Sequence, residues 1–173
     1  MDYFRILVWL LPIVFMLHDF EEIIFLKTWI NKNKYHLAEK FPKISKKLLP
    51  RFEKLSTSGF TVAVAEEFVL LSLITITSII FNNYLLWLAA FMGFFIHLFI
   101  HIGQGIILKR YIPGIITSFL ALIYCIYTFN EIITNNIFSS SQIIFWTIIG
   151  CLLLGINLLF AHKLGEIFDK NKN

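Results

Sequence analysis

Tyr84–Leu108, YLLWLAAFMGFFIHLFIHIGQGIIL, runs for 25 residues without an Asp, Glu, Lys or Arg. As a helix rising 1.5 Å per residue it is long enough to cross a hydrocarbon core about 30 Å thick. It does not alternate apolar and polar residues as a barrel strand does, so its backbone has to satisfy its own hydrogen bonds within a helix. Four further apolar runs lie at about 4–26, 59–81, 112–133 and 142–162. The expected fold is all-α: a polytopic bundle of five transmembrane helices forming a single integral membrane domain, residues 1–173. With 58% hydrophobic residues, 17% aromatic and 15% charged, the chain is too apolar for a water-soluble domain of this length. An acidic cluster, not a small-residue cleavage site, follows the first run, which therefore reads as a retained helix and not a signal peptide. Cys125 and Cys151 fall in separate runs without ligand spacing and read as packing residues.

Orientation follows from the basic residues, which concentrate in cytoplasmic loops near helix ends. Lys27, Lys32, Lys34, Lys40, Lys43, Lys46, Lys47, Arg51 and Lys54 crowd the segment after the first run. Lys109 and Arg110 follow the third run, and Lys163, Lys170 and Lys172 lie in the tail. The turn at Asn82 and the loop after Phe129 carry none, and only Arg5 sits on their side. The expected arrangement is N-terminus out and C-terminus in, as a multi-pass protein of the cell membrane. The basic excess favours anionic headgroups as partners and gives no sign of nucleic acid binding. Residues 27–57 read as a cytoplasmic basic amphipathic loop, with Leu37, Phe41, Ile44, Leu48, Phe52 and Leu55 at helical spacing and Pro42 and Pro50 breaking it into short pieces.

The apolar runs carry ionisable residues. In Leu17–Glu22, LHDFEE, helical spacing puts His18, Glu21 and Glu22 on one face and turns Asp19 about 100° away, toward a pairing with Arg110 or Lys27. The second run brings Glu66 and Glu67, and the third His97 and His101 at i and i+4. Counted from the cytoplasmic end of each run, His18, Glu66 and His101 all lie roughly 10–12 Å deep at 1.5 Å per residue. Helices that run in alternate directions thus deliver these groups to one layer. A lone carboxylate in hydrocarbon costs about 2.5–3.5 kcal/mol, so such groups face the bundle interior and pair or bind a cation there. Trp9, Trp29, Trp87 and Trp146, with Tyr84 and Tyr111, mostly fit interfacial belts.

The chain resembles the HXXEE-motif family of small bacterial and archaeal membrane proteins. His18, Glu21 and Glu22 fit the naming motif, and Glu66 and Glu67 look like the acidic pair on that family's second helix. His97–His101 is similar to its Asn-Ala-x-x-His segment, with His97 and Leu98 in place of Asn and Ala. Arg110–Gly114, RYIPG, looks like the turn that follows. The resemblance implies an intramembrane enzyme of unassigned reaction and supports His101 more directly than His97, whose candidacy rests on spacing.

Imidazole and carboxylate together suit Zn, Fe or Mn, and no thiolate set is on offer. The candidate metal ligands are His18, Glu22, Glu66, His97 and His101. The candidate acid-base groups are Glu21, Glu22, Glu66 and Glu67, which would also serve a metal-free glutamate mechanism. The expected function is a membrane enzyme acting on a hydrophobic or lipid-linked substrate from the cytoplasmic leaflet, alone or as a homo-oligomer. The alternative is a small proton- or cation-coupled transporter using the same residues. Against it stands the lack of an internal repeat.

Overall fold

The computed structural model describes residues 3–172, the Leu48 side chain excepted. Six helices make up the described chain, with no strand among them: α1 (Tyr3–Lys40), α2 (Pro42–Lys54), α3 (Thr57–Ile80), α4 (Leu85–Leu108), α5 (Ile115–Thr134) and α6 (Ser140–Lys172). Four of these, α3 to α6, are long and apolar enough to cross a membrane. By length and composition the chain is therefore a helical membrane protein, with four candidate spans where five were expected. The first helix is not among them; Arg5 lies near the start of its apolar run and Asp19, Glu21 and Glu22 near the end.

The segment 27–57, whose apolar residues stand at helical spacing, is helical over 27–40 and 42–54, and of its two prolines only Pro42 marks a break. α1 continues unbroken to Lys40, and α2 begins at once with Pro42 in its first turn, where a missing N–H costs nothing. Pro50 does not break α2; it lies within the last turns of the helix. The Lys27 ammonium group donates to the carbonyls of Phe52, Glu53 and Leu55, which closes the C-terminal end of α2 against α1. Arg51 pairs with Glu166 at 2.6 Å, and the Ser56 amide donates to Asp169 at 2.7 Å, so α6 is tied to the same end.

α1 packs along α3 and α5, while α6 crosses both α3 and α4. The crossings of α6 are made at glycines. A Cβ on Gly93 would stand 3.0 Å from the Gly150 carbonyl oxygen, and one on Gly150 would overlap the Ala89 carbonyl. Turns at Asn82 (φ 50°) and Asn136 (φ 48°) use the left-handed conformation that Asn tolerates better than most residues.

Trp87 is not an interfacial residue. It is fully buried, stacked on Phe91 at 5.1 Å, with its indole N–H donating to the Val8 carbonyl at 3.3 Å. The reason lies in α1: Pro12 has no N–H to offer Val8 four residues earlier, and the indole supplies the missing donor. Cys125 is buried in the core, whereas Cys151 is exposed on α6.

Candidate functional site

One turn of α1 and one turn of α4 face each other with His18 and Glu22 on the first and His97 and His101 on the second. Both pairs are spaced i, i+4, so each presents its two groups in one direction. One ligand atom from each of the four lies within 4.8 Å of the others. His101 Nε2 is 2.8 Å from Glu22 Oε1 and 2.9 Å from His97 Nε2. His18 Nε2 stands 4.0 Å from the same Glu22 oxygen. His18 is 1% exposed and His101 8% exposed, so both rings are withdrawn from bulk solvent.

The proton count in this cluster is short. A single Nε2–H on His101 cannot point at both Glu22 and His97, and His18 Nε2 and His101 Nδ1 have no hydrogen-bond partner among the described residues. Lone pairs that converge without protons between them suit a cation. Tetrahedral ligands at 2.0–2.2 Å would stand about 3.3 Å apart, within the spread of distances here. Three imidazoles and one carboxylate form a donor set for Zn, Fe or Mn, not for Mg or Ca.

The surrounding residues prepare His18 for that role. Thr117 Oγ1 lies 2.6 Å from Glu21 Oε2 and gives its proton there, leaving a lone pair for His18 Nδ1–H at 3.2 Å. The Nδ1 position being protonated, Nε2 keeps its lone pair toward the cluster. Glu21 itself is saturated: it also accepts from the Thr117 amide at 2.8 Å and the Tyr111 hydroxyl at 2.6 Å. Burial first, and then the bond to Glu21, push the Tyr111 hydroxyl up from its ordinary pKa. Gly114 caps the start of α5 at φ 87°, and a Cβ there would stand 2.9 Å from Glu22 Oε1 and 3.1 Å from His101 Nδ1.

Of the expected ligands, the fold gathers His18, Glu22, His97 and His101 and holds Glu66 elsewhere. Glu66 Oε2 accepts from Asn157 Nδ2 on α6 at 3.2 Å. Glu67 lines a cavity of about 550 Å³ enclosed by α1, α3, α4 and α6, as do Glu22 and His97. Asp19 lines it too. It is 5% exposed, and its Oδ2 has no partner among the described residues. The expected pairing of Asp19 is not made, because Arg110 donates to Asn33 and Lys27 to the end of α2. Tyr111 and Thr117, neither of them among the expected site residues, hold Glu21 and His18. The signal for them was the RYIPG turn, which brings Tyr111 and the start of α5 back against α1.

Residues 9–128 match the model of a family described as a protein of unknown function with an HXXEE motif. No curated protein and no solved structure matches the chain.

Proposed function

This chain belongs to the HXXEE family, whose function is unknown, and from its own residues we propose that it is a multi-pass membrane enzyme that uses a divalent metal on a hydrophobic substrate. The observation that carries this reading is the convergence of His18, Glu22, His97 and His101 ligand atoms within 4.8 Å of one another. A metal held there supplies Lewis acidity toward an oxygen of water or substrate. Glu67 and Asp19, on the wall of the adjoining cavity, take up and return protons. Thr117 and Glu21 hold the His18 lone pair in place, and the apolar walls keep bulk water away.

In this reading the basic end of the bundle, with α2, lies in the cytoplasm of a cell whose plasma membrane houses the protein. The N-terminal half of α1 then crosses the bilayer beside the four apolar helices, although its composition alone does not mark it as a span.

Elemental mass spectrometry on detergent-purified protein tests the reading. Wild type is expected to carry near-stoichiometric Zn, Fe or Mn, with Glu22→Gln and His101→Ala each retaining under a tenth of it and Glu66→Gln retaining all of it. A stable, metal-free wild type purified without chelators would overturn the metalloenzyme. It would turn the same carboxylates and imidazoles toward proton-coupled transport.

A further inference from the structure

The 550 Å³ cavity has two unlike ends. At one, Asp19, Glu22, Glu67, His97, Asn157 and His162 gather the polar groups. From there the space runs along α4 from His97 to Leu86, about three helical turns or roughly 16 Å at 1.5 Å per residue, and its walls are almost wholly apolar. An apolar slot of that length suits a hydrocarbon chain lying along α4.

The head that such a chain can carry is set by charge. Three carboxylates line the polar end, and neither Lys nor Arg lines any part of the cavity among the described residues. A phosphate or carboxylate head would be desolvated there without a cationic partner and would stand against like charge. A divalent ion at the cluster offsets two of the three carboxylates and leaves nothing over for an anion. An uncharged hydroxyl, by contrast, donates to a carboxylate and accepts from Asn157 or an imidazole.

We propose that this cavity binds a single-chain lipid with an uncharged oxygen-bearing head, of the long-chain alcohol class, with the head against Glu22 and His97 and the tail toward Leu86. This inference takes the cluster at its polar end as the reactive site, and so rests on the enzyme reading for its function but not for its binding.

The test uses full-length protein in nanodiscs, with radiolabelled 1-hexadecanol and hexadecyl phosphate as probes and metal content measured on the same samples. Hexadecanol should bind near one per chain, hexadecyl phosphate at least tenfold more weakly, and Ala63→Trp or Leu154→Trp should cut hexadecanol binding at least tenfold while leaving metal content unchanged. The two tryptophans fill the cavity from α3 and from α6, so misfolding of one variant leaves the other to decide. Equal binding of the phosphate, no saturable binding of hexadecanol, or binding unaffected by a folded tryptophan variant would each overturn the proposal. Metal without hexadecanol binding defeats the lipid site and spares the metal centre. Hexadecanol binding to a metal-free protein does the reverse.

Discussion

At the scale of single residues, the HxxEE motif divides its labour in a way its spacing conceals. His18, Glu21 and Glu22 share a helix face, yet Glu22 reaches α4 while Glu21 turns to Thr117 and Tyr111. Helical periodicity gives direction to within a turn and does not say which of two adjacent glutamates meets which neighbour. That depends on the RYIPG turn, and so on contacts distant in sequence. Asp19 eluded the sequence for a related reason: a position about 100° from the site face still lines a cavity when four helices surround it. Thr117→Val should remove the proton acceptor that fixes His18 and leave Glu21 one bond short. Metal affinity in competition with a chelator is expected to fall about 10–100-fold, with about 1 kcal/mol of stability lost. Unchanged affinity would mean that His18 needs no such orientation. Gly114→Ala places a methyl group against Glu22 and His101 at φ 87°. It should destabilise by about 1–2 kcal/mol from the backbone alone and reduce metal occupancy as well; full occupancy in a thermally unaltered variant would contradict the close approach.

At the scale of helices, the boundaries of the apolar runs were legible because charge stops abruptly at their ends, and α3, α4 and α5 begin and end within a few residues of them. In residues 27–57 the helical spacing was legible and the break at Pro42 is real, since α1 ends at Lys40 and α2 opens at Pro42; Pro50, read as a second break, lies inside α2. The extension of α1 to Lys40 was hidden because hydropathy falls while helix propensity does not. What no sequence pattern disclosed is how closely α6 approaches α4. A side chain at Gly150 has the Ala89 backbone in its way, so Gly150→Val should force the helices apart and cost about 1–3 kcal/mol or more in unfolding by denaturant. Stability equal to wild type would show that the crossing relaxes freely.

At the scale of the whole molecule, the two ends are chemically distinct. One joins Lys40, Arg110 and Arg51 to neighbouring helices through Ile107, Asn33 and Glu166. The other holds Arg5 against Asn82 and Tyr3 against Tyr127. Single-cysteine variants at Lys43 and at Asn135, in a background free of other cysteines, should react with a membrane-impermeant maleimide from opposite sides, Asn135 in intact cells and Lys43 only after lysis. Labelling of both from outside would reverse the assignment of the basic end. The convergence of α1 and α4 residues in one layer was readable from depth alone, because alternating helices share a membrane. The cavity beside them was not, since its walls are spread over four helices and look like ordinary core residues in sequence. One feature of the outer surface bears on how many copies associate. Of the chain's two thiols, Cys125 is enclosed and Cys151 faces outward from α6. The native protein therefore carries a single address for a nitroxide spin label. Dipolar spectroscopy between labels on neighbouring copies would report stoichiometry and separation in a bilayer, with no engineered position required.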